Sequence, residues 1–142
     1  MPSLTPFEAA MRELLDATNA SRTTLRLDTP GEVFPVVAEA LAPGARSIRG
    51  ATEIDLRKAR TFQFLARERR LLVQADCLVD EPVAPPELIE LYGVRAQMLA
   101  PIVKDGELAG IISVHHAATP REWTEAEVAA LEAAAERVQD LV

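Results

Sequence analysis

The sequence is short of the residues that most often announce chemistry. Cys77 is the one cysteine, which excludes an intrachain disulfide and any zinc site built from several thiolates. His115 and His116 are the only histidines. Neighbours on a strand point to opposite faces, so the two cannot chelate one metal as a pair. No apolar stretch approaches the ~20 residues that span a bilayer. Met1-Pro2-Ser3-Leu4-Thr5-Pro6 has no basic segment leading into an apolar run, as a secretory signal would. Positive charge is also scarce: the net charge is −7 and the isoelectric point about 4.9, which argues against non-specific nucleic-acid binding. No Ser-His-Asp order, metal spacing, phosphate loop or carboxylate pair stands out. The chain shows no repeats, low-complexity tract or interdomain linker. Together these absences point to a cytoplasmic protein with no membrane segment, no metal site and no sequence support for catalysis.

What is present is an ordinary globular composition, 49% hydrophobic and 26% charged over 142 residues, enough for one domain around one core. The charge is uneven. From Arg46 to Arg70 eight basic residues face three acidic ones, a surplus of five that leaves the remainder at −12. Such a run is either a solvated helix face or a cationic lip over an anionic ligand or partner.

The first helix is predicted from Thr5 as N-cap, Pro6 at the first helical position and Glu8 closing a capping box. Phe7, Met11, Leu14 and Leu15 follow at helical spacing, and Asn19 or Ser21 ends the element. Ser21 to Asp28 and Val33 to Leu41 read as strands, the second irregular because of Pro35, and Arg46 to Arg49 as a short extended piece. Asp55 to Arg70 is helical in pattern, with Leu56, Ala59, Phe62 or Gln63, and Ala66 on one face. A short strand (Leu71 to Ala75), a Pro-rich loop and a brief helix from Pro86 to Leu91, stopped by Gly93, come next. Arg95 to Lys104 and Glu107 to His116 are two strands joined by Asp105-Gly106, a type I′ hairpin signal. Thr124 and Glu127 form a second capping box, and Trp123 with Val128 a hydrophobic staple. Val128, Leu131, Ala135, Val138 and Val142 then make a narrow seam suited to the first helix or to a second subunit.

The second half carries a family resemblance. Tyr92-Gly93-Val94-Arg95-Ala96, Leu99-Ala100-Pro101-Ile102-Val103, the stretch Asp105-Gly106-Glu107-Leu108-Ala109-Gly110-Ile111-Ile112-Ser113-Val114-His115 and the opening Pro120-Arg121-Glu122-Trp123-Thr124 resemble, in this order, a GAF domain. Ser21 to Asp28 looks like the first strand of that fold, and the likeness covers nearly the whole chain, residues 1–142 as a single GAF-like domain. The resemblance implies an α+β fold related to PAS domains, with a central, mainly antiparallel sheet of about five to six strands. Terminal helices would cover one face, while middle helices and loops would enclose a pocket on the other. It also implies a regulatory role, with a ligand such as a cyclic nucleotide, bilin, haem or small metabolite, and dimerisation through the end helices. The marks of the subtypes are missing: there is no Asn-Lys-Phe-Asp-Glu pattern, no match to a bilin-attachment site around Cys77, and no cysteine pair of the kind used by free methionine sulfoxide reductases. The cofactor is therefore unknown. With no kinase, cyclase or DNA-binding module in the sequence, the domain is expected to act through a protein partner or as a homodimer.

Six residues are the candidate ligand contacts: Arg26, Phe62, Tyr92, Met98, Ser113 and His115. Parity on the last strand puts Ser113 and His115 on the pocket face and Ile112, Val114 and His116 on the helical one. His115 is a structural or rim histidine, a ligand contact or, least supported, an axial haem ligand. Arg26 breaks the apolar alternation of the first strand and is costly to bury unpaired, so it pairs with Glu39 on the neighbouring strand, pairs with an anionic ligand, or is simply exposed. Cys77, beside Asp76 and Asp80, is an inert thiol unless something activates it. The leading expectation is a sensor holding a small anionic or aromatic molecule between the sheet and the segment from Asp55 to Tyr92. The alternatives are an interaction module with a filled pocket and a small enzyme using His115.

Overall fold

The structure is a computed structural model that describes residues 4–31, 33–50 and 56–142. In chain order these form α1 (Pro6–Thr18), β1 (Arg22–Leu27), β2 (Val36–Leu41), a 3₁₀ turn (Leu56–Lys58), α2 (Arg60–Glu68), β3 (Leu72–Gln74), α3 (Pro86–Tyr92), β4 (Val94–Lys104), β5 (Glu107–Ala117) and α4 (Glu125–Leu141). The described strands make one antiparallel sheet of five, ordered β2-β1-β5-β4-β3. The long hairpin is therefore central, and the short strands are its margins.

Local chemistry sets most of the boundaries. The Thr5 hydroxyl accepts from the Glu8 backbone N–H and the Glu8 carboxylate accepts from Thr5 N–H, so the capping box forms as its spacing implies. Thr124 and Glu127 repeat the arrangement at α4. Asn19 ends α1 in the left-handed region. Asp105 and Gly106 have φ of 53° and 79°, as a type I′ turn demands, and lock the register in which Lys104 faces Glu107.

Three predicted elements differ in the folded chain. β2 begins at Val36 rather than Val33, because Phe34 takes a left-handed φ of 48° and Pro35 has no N–H to give a ladder. Arg46 to Arg49 is not a strand. The Glu39 carboxylate ties this segment down instead, accepting from the Ser47 hydroxyl and the Ile48 N–H. The helix expected from Asp55 to Arg70 is broken: Asp55 lies outside the described residues, a 3₁₀ turn ends at Lys58, and α2 restarts at Arg60. The restart changes the helical phase, so Thr61 and Leu65 are the buried positions, Phe62 is half-buried and Gln63 is exposed.

The sheet has two unlike faces. One carries Leu25, Ala38, Ala40, Met98, Ala100, Ile102, Ile112 and Val114, packed against Met11, Leu14 and Leu15 of α1 and Leu131, Ala134 and Val138 of α4. This is the main core, and it absorbs the α4 seam within the chain. Arg121 fastens the helical layer. Its guanidinium donates to the Thr18 carbonyl at the end of α1 and to the Glu127 carboxylate at the start of α4, and it lies 4.5 Å from the centre of the Trp123 ring. The other face packs Leu72, Leu99 and Ile111 beneath Leu65 of α2.

β1 and β5 approach so closely at Gly110 that a Cβ there would sit 2.7 Å from both the Arg26 carbonyl oxygen and the Leu27 side chain. Gly110→Ala should therefore lower the unfolding free energy by about 1–3 kcal/mol, seen as a drop in the urea midpoint. A wild-type midpoint would mean that the strands can part without cost.

Candidate functional site

The face beneath α2 is unusual for what it buries. Strand parity sends Arg22, Thr24 and Arg26 of β1 to this side, together with Ile111, Ser113 and His115 of β5 and Gln97 and Leu99 of β4. Register aligns them into rows: Arg22 opposite His115, which faces Gln97, which faces Gln74, and then Thr24, Ser113, Leu99 and Leu72. Arg22, His115, Gln97 and Gln74 are each no more than 3% exposed.

Hydrogen bonds hold the first row. Arg22 Nε and Nη2 lie 3.1 and 2.9 Å from His115 Nδ1, and Arg22 Nη1 donates to the Arg46 carbonyl. Gln97 Nε2 donates to Gln74 Oε1 over 2.8 Å, and Gln74 Nε2 to the Pro82 carbonyl over 2.6 Å. Arginine can only donate, so Nδ1 must be the bare acceptor and the proton must sit on His115 Nε2. Burial drives the His115 pKa well below its ordinary value, and the cations of Arg22 and Arg26 push it further the same way. The ring is thus a neutral donor.

Both arginines carry the cost of burial. It lowers Arg22 to about 10, with Glu39 and Tyr92 opposing the shift, and it lowers Arg26 in the same way. Arg26 does not pair with Glu39. A register shift between Leu25 and Arg26 sets Arg26 opposite Val36 while Glu39 faces Thr24, and the Glu39 oxygens go to Ser47 and Ile48. The hydrogen bond Arg26 makes among the described residues runs from Nη1 to the Phe34 carbonyl, 2.9 Å.

Over this floor lies a cavity lined by Arg26, Gln97, Leu99, Ile111, Ser113 and His115 of the sheet. Its cover is Leu56, Thr61, Phe62 and Leu65, with Ile48, Pro85 and Leu88 at the sides. Phe62 is braced edge-on against Phe34, ring centres 5.1 Å apart. The cavity holds about 30 Å³, space for roughly one water, where ligand pockets commonly measure ~300 Å³ or more.

Four of the six expected contacts meet here: Arg26, Phe62, Ser113 and His115. Two do not. Met98 pairs with Val114 and lies fully buried in the helix-facing core, because its strand position has the opposite parity to Gln97 and Leu99. Tyr92 ends α3 outside the cavity, where its ring stacks with Arg46 at 4.9 Å and Arg22 at 5.7 Å beside a separate outer groove. Gln97, Thr61 and Arg22 are the polar residues that sequence reasoning missed. Gln97 could have been found as the one polar residue between Ala96 and Met98 that pairs with the His115 position; Arg22 shares the parity of Arg26. Cys77 packs with Ala84, Leu88 and Val94, and burial together with Asp76 and Asp80 raises its thiol to about 12, which leaves no thiolate at neutral pH. Among the described residues no three His, Cys, Asp or Glu side chains are grouped to hold a metal ion.

Comparison with known proteins gives one family. The family model of the GAF domain matches residues 4–139. The circadian input-output histidine kinase CikA of Synechocystis is 40% identical over 40 residues, 28% of this chain and 5% of the relative. The protein sll0041 of Synechocystis, described as a methyl-accepting chemotaxis protein, is 27% identical over 124 residues, 86% of this chain and 12% of the relative. The chain thus spans only a small part of these two proteins. In structure it is similar to the GAF domain of the cyanobacteriochrome TePixJ, with a TM-score of 0.78 at 21% identity, covering 99% of this chain and 94% of that one. The chromophore-binding domain of the bacteriophytochrome RpBphP3 from R. palustris gives 0.77 at 20% identity, covering 96% and 54%. These likenesses are likenesses of fold.

His115 gives the fold a pH dependence with a definite sign. The unfolded chain takes up a proton near the ordinary value of 6.5, and the folded chain refuses it until much lower pH. His115's contribution to stability is therefore complete above about pH 6.5 and is lost as pH falls, at up to about 1.4 kcal/mol per pH unit. Urea unfolding at about pH 7.5 and about pH 5.5 should show this loss. In His115→Gln, whose amide oxygen can still accept from Arg22, the difference should shrink. An unchanged slope in that variant would place the effect elsewhere.

Proposed function

The chain belongs to the GAF domain family, and from that membership and the geometry of its sheet we propose that it is a single ligand-binding sensory domain of the cytoplasm. Its ligand would be a small molecule held between the sheet and α2, and occupancy would be passed to a partner protein. One observation carries the reading: two buried arginines and a neutral histidine line one face of the sheet, with no carboxylate in ion-pair contact among the described residues. A stable core has no use for unneutralised cations, whereas a binding site does. The relatives, a histidine kinase and a chemotaxis protein, support signalling. Bilin binding, which the name of one structural neighbour includes as bound biliverdin, has less support here, since the cavity is small and no cysteine lines it.

In this reading the ligand alters how α2 lies on the sheet, and the change reaches a second copy through the outward sides of α1 and α4. There Ala17, Ala130 and Ala133 border a shallow groove beside Glu13 and Arg137. Among the described residues no helix is long and apolar enough to cross a membrane. The near-filled cavity favours one second reading, an interaction module that presents the exposed Arg60, Arg67, Arg69 and Arg70 of and beside α2 to an acidic protein.

Thermal-shift measurement against a broad metabolite panel separates the two. A ligand at a hundredfold excess over its Kd adds about 2.7 kcal/mol, which for a chain of this size raises Tm by roughly 5–10 °C. Ser113→Leu, which fills the cavity, should abolish that rise. A flat response across the panel would leave the interaction module. For self-association, light scattering should show a lower mass for Ala133→Arg than for the wild type, and equal masses would remove the α1/α4 groove from the interface.

A further inference from the structure

We propose that the cavity receives a short-chain monocarboxylate, its carboxylate bound by Arg26, Ser113 and the Nε2–H of His115, its few carbons by Leu56, Phe62, Leu65 and Ile111. This rests on the ligand-binding reading above and narrows it to a chemical class.

The donor inventory points to an acceptor. His115 spends Nδ1 on Arg22, so its cavity-side capacity is one N–H, and that nitrogen has no partner among the described residues. Among the described residues Arg26 makes one hydrogen bond, to the Phe34 carbonyl, which leaves the rest of its planar fork for a group that can take two parallel bonds. Ser113 lines the same space. Beside it in register, the buried Thr24 hydroxyl has no hydrogen-bond partner among the described residues, which native interiors seldom allow. Against these donors stand the amide oxygen of Gln97, whose nitrogen donates to Gln74, and the hydroxyl oxygens of Ser113 and Thr61, which accept as well as donate. Donors outnumber acceptors and one of them is a full cation.

Charge and size then restrict the acceptor. Glu39 eases the Arg26 charge from a distance while its oxygens are held by Ser47 and Ile48; a buried guanidinium with no ion pair among the described residues favours an anion over a neutral carbonyl, and one arginine in direct reach favours a single charge. Apart from Thr61, the remaining lining is aliphatic or aromatic, which suits a hydrocarbon tail better than the fully polar surface of inorganic phosphate. The present space of about 30 Å³ suits roughly one water, so headgroup and tail together displace α2 outward. That displacement is feasible because the N-cap of α2, Ala59, makes no side-chain capping bond. A large ligand would have to unseat the helix altogether.

The test is calorimetric titration of the full chain with acetate, propionate and butyrate, with propionamide and butyramide as neutral isosteres and inorganic phosphate as a separate anion. The expected result is saturable binding of the carboxylates, with each amide at least tenfold weaker, and faster amide hydrogen exchange in α2 when butyrate is bound. Arg26→Gln should weaken butyrate at least tenfold; the carboxylate–amide contrast on the wild-type protein needs no variant and stands if Arg26→Gln does not fold. Equal affinity for amide and carboxylate, or binding of phosphate alone, would overturn the proposal. So would silence to every carboxylate. If another metabolite then raises Tm and Ser113→Leu abolishes the rise, only the carboxylate assignment falls; a panel without any response removes the ligand-binding reading as well.

Discussion

The alternation of the β4–β5 hairpin governs the rest of the molecule. Two eleven-residue strands pair in the centre of the sheet, and each successive side chain goes to the opposite side. Because Ala96, Met98, Ala100 and Ile102 share one parity with Ile112 and Val114, one face is continuously apolar and must be covered by α1 and α4. The other parity collects Gln97, Leu99, Ile111, Ser113 and His115. A slip of one residue would exchange the two faces and bury the wrong set. The Asp105-Gly106 turn, whose two positive φ angles suit the twist of paired strands, fixes the register against such a slip.

The consequence is a division of labour between the two sides. Beneath α1 and α4 the packing is tight and aliphatic, with Leu25, Met98, Ile112, Val114, Leu131 and Val138 fully buried, and it supplies most of the hydrophobic stabilisation. Beneath α2 the same strands bury Arg22, Arg26, His115, Gln97 and Gln74. That side gives up stability to desolvation and recovers part of it through the Arg22–His115 and Gln97–Gln74 hydrogen bonds. Hydrogen bonds in such surroundings are strong, and any polar atom left unbonded is correspondingly costly. The unpartnered Thr24 hydroxyl and the incompletely bonded Arg26 lie within this patch, close to the cavity. Outside the patch, Arg95 Nε beside Asp76 is a further buried polar atom without a hydrogen-bond partner among the described residues.

Much of this architecture was legible in the residues. The capping boxes at Thr5 and Thr124, the Asp105-Gly106 hairpin and the opposite orientations of Ile112, Ser113, Val114 and His115 all follow from spacing and turn chemistry, because they depend on neighbours within a few positions. That Arg26, Ser113 and His115 share the face beneath α2 and line the cavity is readable for a similar reason, since strand parity gives it, whereas the place of Phe62 depends on where α2 restarts. Met98 was misplaced by treating a large apolar side chain as cavity lining without counting its parity against Gln97. Tyr92 was misplaced because the direction of α3 relative to the sheet depends on where Gly93 turns the chain, and spacing does not report that direction.

The sequence by itself determined the element order, the antiparallel hairpin, the caps and the two-faced sheet, since each is a local consequence of steric preference, hydrogen-bonding capacity or period. Only the tertiary structure decided that Glu39 serves Ser47 and Ile48 rather than Arg26, that Arg22 fixes the protonation of His115 from across the sheet, that the α4 seam is spent on the chain's own core, and that the cavity is small. Those outcomes depend on strand order, on a register shift at Leu25–Arg26 and on the depth at which α2 settles. The hydrogen bonds among them join residues from 8 to 93 positions apart, and no local preference encodes them.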